Sequence, residues 1–404
     1  MFNVLARSLK LYRNAYTGHP KEVWALFVLT LINRMGTMVL LFLTVYLTTV
    51  LHFSLQETGL LAGAFGFGSL GGAYLGGKLS DRFGPNRVII GSLFMGGLLF
   101  IAMQFATSFA GLYALIFTTA LFGEAYRPAM TASVADYVPS AKTGRTMAFI
   151  RLAINLGMTA SPAIGGFVAV SLGYKFLFWI DGLTCIVAAV FFALVSRRWA
   201  KRQAPEEAPT AANNHALPVF KNRLYLKFLL ATFLLGFCFI QWFHSVPVFI
   251  KTEWGFDERY IGMLMTFSCL LVTLVEMPFV DAAEKTGRIK TASLVGLALI
   301  GCSFLPFLAP PAAWLGILGI LLLTLGEIFF LPFNNAIPLH LSPPGKRGEY
   351  MAGYWMAWSL THVTGPTIGL AVAGAYGFSV FWLMLAGLVG LSLLLHLRLS
   401  GRIF

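Results

Sequence analysis

Apolar residues follow one another in long runs along the whole chain, and most charged residues are gathered between the runs. Charge-free stretches such as 88–123 and 152–174 recur from end to end. A helix of about 20 apolar residues crosses about 30 Å of hydrocarbon. The pattern predicts helical spans at 22–50, 57–77, 88–108, 111–137, 145–171, 176–196, 225–250, 259–281, 290–309, 313–339, 349–374 and 377–397, twelve in all.

The composition excludes a soluble globular protein. Hydrophobic residues make up 58% of the 404 residues and charged residues only 11%, which is less than half of the roughly 25% of an average soluble domain. The four cysteines, Cys185, Cys238, Cys269 and Cys302, lie in apolar stretches far from one another, so neither a disulfide framework nor a zinc site is expected. We interpret the chain as an all-α, multi-span membrane protein without a bound metal.

The distribution of Lys and Arg predicts the orientation in the membrane. With the amino terminus in the cytoplasm, the cytoplasmic segments contain 23 Lys and Arg and the opposite side contains three. Because positive residues concentrate on the cytoplasmic side, both termini are expected there, and the net charge of +13 reflects topology rather than nucleic-acid binding. Residues 1–21 read as a retained basic leader without a cleavage site. The bacterial inner membrane is the expected location, with a eukaryotic membrane as the alternative.

The two halves of the chain repeat each other. The polar stretch 197–224 reads as a flexible linker between a six-helix bundle at 22–196 and a second at 225–404. A shift of 203–204 residues aligns Asp81 with Glu284, Glu124 with Glu327, Pro162 with Pro366 and Gly165 with Gly369. Two homologous bundles joined in parallel predict a substrate site near the bilayer midplane and alternating access by rocking. The architecture predicts a transporter. No Walker loop or nucleophile elbow supports an ATP-driven pump or an enzyme.

The loop between the second and third spans contains a motif. It reads Gly77-Lys-Leu-Ser-Asp81-Arg82-Phe-Gly84-Pro-Asn-Arg87, and it resembles the cytoplasmic loop signature of the major facilitator superfamily in sequence and in position. An acid and several bases at such a turn can bridge to a neighbouring span in one conformation only. We therefore predict a conformational latch formed by Gly77, Asp81, Arg82, Gly84 and Arg87. A turn that only sets the topology is the alternative.

Span five contains a second motif, formed by Gly157, Ser161, Pro162, Gly165 and Gly166. It resembles the signature of the superfamily's drug:proton antiporters, with Ser161 in place of one glycine. Small residues at four-residue spacing let helices approach closely, and a proline bends a helix. The motif therefore predicts a helix-packing role.

The chain resembles two branches of the superfamily. Residues 33–36 of span one and 326–332 of span ten are similar both to bacterial twelve-span drug:proton antiporters and to proton-coupled oligopeptide transporters. The peptide family has glutamates where this chain has Thr30 and Asn33, and a length near 400 residues favours efflux carriers. The leading prediction is proton-coupled efflux of amphipathic drugs or metabolites by antiport, without a cofactor. The alternative is a symporter that imports peptides or other small metabolites. We expect a monomer in membrane lipid that binds no nucleic acid.

Six charged residues are predicted inside spans: Arg34, Arg127, Arg151, Glu124, Glu276 and Glu327. Each unpaired charge at mid-bilayer costs about 2.5–3.5 kcal/mol, so these residues should face a cavity or each other. Glu124 and Arg127 are three residues apart and can pair within one helix. Arg34 requires a partner from another span or a substrate anion. Arg151, which shares a helix face with Asn155, can pair with a neighbouring span or bind an anionic substrate group.

Glu327 is the leading candidate for the coupling proton. It lies mid-span, and its own span has no basic residue before His340. Such a carboxyl group can be neutral or charged near pH 7, as proton coupling requires. Glu124 and Glu276 are the alternatives, either as proton relays or as members of buried ion pairs. Asp181, near the outer end of span six, is expected to be structural.

Polar and aromatic residues complete the predicted substrate cavity. Its members are Arg34, Arg127, Arg151, Asn155, Gln241, His244, Asn334, Trp355, Trp358 and His362. The two tryptophans and His362 share one stripe of span eleven. They form either an aromatic core or a cavity wall for an amphipathic substrate. A receptor or a membrane-embedded enzyme is the alternative from another class, but the sequence shows neither a signalling domain nor a catalytic constellation.

Overall fold

The computed structural model describes residues 19–138, 140–197, 199, 221–342 and 347–403. Most of the predicted leader 1–21 and linker 197–224 therefore lies outside the described residues. Within the described part, the regular structure is helical and contains no strand. The α-helices are α1 (Lys21–Met35), α2 (Met38–Thr49), α3 (Leu55–Phe83), α4 (Pro85–Met103), α5 (Phe109–Tyr137), α6 (Ser140–Ser171), α7 (Tyr174–Ser196), α8 (Arg223–Phe239), α9 (Gln241–Thr252), α10 (Glu258–Thr286), α11 (Ile289–Cys302), α12 (Ala313–Leu341), α13 (Arg347–Tyr376) and α14 (Phe378–Ile403). A short 3-10 helix, Leu305–Leu308, precedes α12.

Ten helical segments of the described chain are long and apolar enough to cross a membrane. In two of them, two consecutive α-helices form one segment, α1 with α2 and α8 with α9, and a third joins α11 to the 3-10 helix. Helices α3 and α13, of 29 and 30 residues, cover the predicted spans 57–77 and 349–374 without being among the ten. An all-helical membrane fold is thus confirmed. The count of twelve spans and the cytoplasmic position of the termini stay predictions.

The first predicted span, 22–50, is one apolar segment but not one helix. Helix α1 ends at Met35 and α2 begins at Met38. A Cβ atom on the intervening Gly36 would lie 1.8 Å from Thr184 Oγ1 of α7, so the close approach of α7 requires glycine here. The seventh predicted span, 225–250, is interrupted in the same way at Ile240, between α8 and α9.

Tight reversals connect α3 to α4 and α6 to α7. Gly84 and Gly173, at these two turns, have φ angles of 86° and 92°, which a residue with a side chain rarely adopts. Pro85 follows Gly84 as the first residue of α4, where its missing N–H costs no helical hydrogen bond. These residues set where the long helices begin and end.

The two halves of the chain use the same helix packing. In the first half, α4 packs against α5 and α7, and α1 packs against α6 and α7. In the second half, α11 packs against α12 and α14, and α8 packs against α13 and α14. These pairs correspond one to one under the shift of the sequence repeat. The packing therefore supports an internal duplication.

The described chain forms two compact units. Within the described residues, the first unit contains 19–51, 64–199 and Asp257–Leu270, and the second contains His52–Gly63, 221–256 and the chain from Leu271 onwards. In the first unit, Leu26 of α1 and Phe192 of α7 belong to one buried apolar cluster. In the second, Tyr225 of α8 and Tyr350 of α13 belong to another. Each unit therefore has an apolar core of its own.

Candidate functional site

Helices α1, α5 and α6 of the first unit meet around Arg34. Thr30 Oγ1 of α1 lies 2.9 Å from Tyr126 OH of α5, which joins these two helices. A Cβ atom on Gly157 of α6 would lie 2.5 Å from Arg34 Cβ. The missing side chain at Gly157 therefore lets α6 approach α1 closely at Arg34.

Arg34 lies within electrostatic range of an ion pair on α5. Arg127 Nε is 2.7 Å from Glu124 Oε2, the pair that the three-residue spacing predicts. Arg34 lies within electrostatic range of both residues, and its buried Nε has no hydrogen-bond partner among the described residues. The side chain of Glu124 is 17% exposed and that of Arg127 is 63% exposed. We call Arg34, Glu124 and Arg127 the arginine cluster, and it has one positive charge in excess.

The antiporter-like motif of α6 lies in helix contacts. Gly165 has Met38 and Phe42 of α2 against it, because a Cβ atom there would lie 2.9 Å from the Phe42 ring. A Cβ atom on Gly166 would lie 2.3 Å from the carbonyl oxygen of Glu258, the first residue of α10. The motif thus brings α6 into close contact with two helices of its unit.

The rest of the predicted α6 residues have different surroundings. Ser161 is buried, and the carbonyl oxygen of Pro162 would lie 2.2 Å from a Cβ atom on Gly262 of α10. Arg151 is exposed and Asn155 is partly buried. Pro162 therefore lies in the contact with α10 and Ser161 is buried, whereas the side chain of Arg151 reaches the surface of the unit.

Asp181 of α7 stabilises the break in the first span. It is fully buried, and its two carboxyl oxygens accept hydrogen bonds from the backbone N–H groups of Met38 at 3.1 Å and Val39 at 2.7 Å. The first N–H groups of a helix have no partner within that helix. Asp181 supplies this partner for α2 from a different helix, which is the structural role expected of it.

Cys185 of α7 and Cys238 of α8 are part of the packing. Asn33 Nδ2 donates to Cys185 Sγ at 3.4 Å, and Cys238 Sγ donates to the Leu385 carbonyl oxygen at 3.5 Å. Both cysteines are buried and unpaired with another cysteine. Across the described residues, no group of three or more His, Cys, Asp or Glu side chains could hold a metal ion.

Glu327 of the second unit occupies a place like that of Glu124. Each lies near the middle of a 29-residue helix, Glu124 on α5 and Glu327 on α12. Both residues are partly buried, as is Glu276 on α10. Beside Glu327, a Cβ atom on Gly326 would lie 2.7 Å from the carbonyl oxygen of Gly296, so α12 and α11 are in backbone contact at this level.

Gln241 joins the break in the seventh span to α13. It is fully buried, and its Nε2 donates to the Gly365 carbonyl oxygen at 2.9 Å. Its Oε1 accepts a hydrogen bond from Ser245 Oγ at 2.6 Å. One turn along α9, His244 interacts electrostatically with His362 of α13. The structure therefore places Gln241 against α13 and His244 within electrostatic range of His362.

The two tryptophans predicted to share one stripe of α13 lie in different environments. Trp355 is 55% exposed, whereas Trp358 is partly buried and packs edge-on against Phe239 of α8, with ring centroids 6.0 Å apart. The two rings therefore have different surroundings. Trp358 is part of the packing between α8 and α13.

Asn334 is part of a polar group that the sequence did not reveal in full. Its Nδ2 donates to Tyr354 OH at 3.2 Å, and the same hydroxyl donates to Asn335 Oδ1. Asn335 directly follows the predicted residue Asn334. Two consecutive asparagines in an apolar helix are the sequence signal that could have indicated this polar group. Tyr354 lies on the next helix, α13, and no spacing within one helix indicates it.

The loop motif lies at the end of α3 and the start of α4. Asp81, Arg82 and Arg87 are exposed, and among the described side chains Asp81 makes no ion pair. The Arg82 guanidinium lies 5.3 Å from the centroid of the Phe83 ring. A Cβ atom on Gly77 would meet none of the described neighbouring atoms within 4 Å, which leaves that face of α3 open. The latch stays a prediction.

Asn86, within the same loop motif, connects α4 to the end of α5. Its Nδ2 donates to Tyr137 OH at 2.8 Å, and its Oδ1 accepts from Ser133 Oγ at 2.8 Å. The motif alone predicts no role for this residue. Its partners lie on another helix, so the sequence spacing contains no signal for the contact.

The fold and these polar clusters define a multi-span membrane transporter. The sequence profile of the Major Facilitator Superfamily matches residues 26–253 and 245–402, which together cover nearly the whole chain. The chain belongs to the major facilitator superfamily and is an integral, multi-pass membrane protein. The family predicted from the loop motif is thus confirmed.

Relatives with a named function are transporters as well. The chain is 24% identical over 330 residues to multidrug resistance protein 2 of Bacillus subtilis (strain 168), with 79% of this chain and 80% of that protein covered. It is 22% identical to a Na(+), Li(+), K(+)/H(+) antiporter of Planococcus maritimus, with 89% and 91% covered.

Solved structures share the fold at low sequence identity. A POT family transporter in complex with 5-aminolevulinic acid matches with a TM-score of 0.79 at 13% identity, over 96% of this chain and 98% of the other. A mutant of the nucleoside transporter NupG matches with a TM-score of 0.76 at 15% identity, over 94% and 99%. At such identities the likeness shows the fold alone.

Proposed function

We propose that the protein is a proton-driven secondary transporter that exports amphipathic drugs or metabolites by antiport. Two of its relatives are named as a multidrug resistance protein and as a cation/proton antiporter. The similarity covers 80% of the first relative and 91% of the second. We further propose that the protein works as a monomer in a bacterial inner membrane, with the proton gradient as its energy source.

The observation that carries this proposal is the pair of glutamates at equivalent places in the two units. Glu124 and Glu327 each lie near the middle of a long apolar helix. A charged side chain at such a depth costs about 2.5–3.5 kcal/mol, and ionisable residues inside membranes commonly form proton pathways. A carboxyl group that is alternately charged and neutral is what proton coupling requires.

The arginine beside one of the two glutamates supports different roles for them. Glu124 forms an ion pair with Arg127 at 2.7 Å. Helix α12, which carries Glu327, contains no Lys or Arg in its sequence. We therefore assign the coupling proton to the repeat equivalent, Glu327. We assign substrate binding to the arginine cluster. Glu276, on α10, is the next candidate for the proton.

Symport of a small metabolite is the second candidate, and the arginine cluster favours it. The excess positive charge of the cluster suits an anionic substrate, and a proton that moves with such an anion would balance its charge. Anion and proton would then bind together, as in symport.

The direction of proton movement separates the two functions. The purified protein is reconstituted into liposomes that contain a trapped pH-sensitive dye, and candidate substrates are added outside. Antiport makes the lumen more alkaline as substrate enters, whereas symport makes it more acidic. We expect alkalinisation with at least one amphipathic compound. Acidification would establish symport, and substrate flux without any pH change would contradict proton coupling.

A further inference from the structure

The arginine cluster of the first unit contains two positive charges and one negative charge. Arg127 is paired with Glu124, and Arg34 lies within electrostatic range of both residues. Asp181, a buried acid of α7, already accepts two backbone hydrogen bonds at the start of α2. Asp181 therefore serves the helix break, and the arginine cluster keeps its excess positive charge.

The donors of the cluster also exceed its acceptors. Two guanidinium groups offer more N–H donors than one carboxylate can accept. The Nε atom of Arg34 is buried without a hydrogen-bond partner among the described residues, and a buried donor without a partner is costly. An anionic oxygen beside Arg34 and Arg127 would satisfy both the charge and the donors.

Specific helix contacts hold the residues of the arginine cluster in place. Gly157 gives α6 close contact with α1 at Arg34, and the hydrogen bond between Thr30 and Tyr126 holds α1 to α5 one turn before Arg34. Arg127, with 63% of its side chain exposed, reaches outward from the Glu124 pair. The cluster thus combines a partly buried arginine, whose Nε atom is buried, with an accessible one.

We infer that the arginine cluster is a binding site for an anionic group, such as a carboxylate or a sulfonate, on an amphipathic substrate. The inference rests on the proposed transport function and specifies its substrate class. Glu124 acts there as an internal competitor that holds Arg127 until the substrate anion replaces it. Cationic amphipathic compounds are disfavoured, because the cluster repels them.

Equilibrium binding of one fluorophore in three charge states tests this inference. The full-length protein in lipid nanodiscs is titrated with dansylglycine, an anion, its neutral amide dansylglycinamide, and the cation dansylcadaverine, with subtraction of binding to empty nanodiscs. We expect dansylglycine to bind about tenfold or more tightly than the amide, because hydrogen bonds to charged groups are the strong ones. Equal binding of the three dyes, no binding of dansylglycine, or a preference for the cation overturns the inference.

Variants identify the residues that hold the anion. Arg127→Gln changes an exposed side chain and should remove the preference for dansylglycine, while binding of the amide changes less than about twofold. Glu124→Gln should strengthen dansylglycine binding severalfold, because the competitor loses its charge. Arg288→Gln, in an exposed turn, is the matched control and should change nothing. A preference that survives Arg127→Gln, or weaker anion binding in Glu124→Gln, overturns the inference.

This measurement is independent of proton coupling. It uses no gradient, so anion binding without pH-driven transport would contradict the proposed function alone. Conversely, pH-driven transport of compounds that show no preference for an anionic group would contradict the anion site alone.

Discussion

Replacing Asp181 should destabilise the start of α2 by a predictable amount. The buried carboxyl group accepts hydrogen bonds from the N–H groups of Met38 and Val39, at 3.1 and 2.7 Å. Asp181→Ala leaves both donors buried without a partner, and each such donor costs about 1–3 kcal/mol. The expected loss in the free energy of unfolding is therefore about 2–6 kcal/mol. Asp181→Asn keeps one acceptor oxygen, so its loss should be about half as large.

Two assays measure this effect. Equilibrium unfolding in mixed micelles gives the free energy of unfolding of each variant. Hydrogen–deuterium exchange of a peptide that contains Met38 and Val39 reports the local effect, which should be faster exchange in Asp181→Ala than in the wild-type protein. Asp257, which is exposed and accepts one hydrogen bond from the Tyr260 N–H group at 3.1 Å, is the control; Asp257→Ala should cost only about 1 kcal/mol.

The reasoning is refuted if Asp181→Ala unfolds within about 0.5 kcal/mol of the wild type, a difference that surface substitutions commonly produce. Unchanged exchange at the start of α2 would refute it as well. Either result would mean that the break in the first span does not depend on the carboxyl group of α7.

Three further substitutions test separate parts of the structure. Gly157→Ala should destabilise the protein by about 1–3 kcal/mol in the same unfolding assay, because its Cβ atom meets Arg34; Gly91→Ala, with open space around it, should be neutral or slightly stabilising, and equal effects would contradict the packing argument. Arg34→Lys keeps the charge but not the planar fork, so transport should fall at least severalfold, and wild-type rates would remove Arg34 from the site. Asp81→Asn should slow substrate exchange in proteoliposomes while substrate binding changes little, and unchanged turnover would leave the loop motif with a topological role only.

The helices could be predicted from the sequence because the membrane imposes one simple requirement. Every long apolar run must satisfy its backbone hydrogen bonds internally, and only a helix can do so within one segment. For the same reason, the Glu124–Arg127 pair was predictable from its spacing within one helix. The repeat of the two halves followed from the constant shift between their glycines, prolines and acids.

The breaks in the first and seventh spans could not be predicted in the same way. Both breaks lie inside predicted spans, at Gly36 and Ile240, and the polar residues beside them, Arg34 and Gln241, were interpreted as cavity residues instead. The first break depends on Asp181, which lies about 140 residues further along the chain, and the second is joined to α13 by Gln241. Contacts between distant helices, such as that of Asn86 with Tyr137, likewise leave no periodic signal in a single sequence.

The location of the coupling proton is the central claim, and one measurement tests it directly. Glu327→Gln mimics the protonated carboxyl group and keeps its size and hydrogen-bonding capacity. The variant should therefore still bind substrate and exchange it across the membrane at equal pH, yet fail to accumulate it when a pH difference is imposed. Glu253→Gln, in an exposed loop after α9, is the control and should accumulate substrate normally.

The decisive experiment compares substrate accumulation by these two variants and the wild-type protein in proteoliposomes under the same imposed pH difference. The account predicts accumulation by the wild type and by Glu253→Gln, and none by Glu327→Gln. If Glu327→Gln still moves substrate against its concentration gradient under the pH difference, Glu327 does not carry the coupling proton, and the role passes to Glu276 or Glu124.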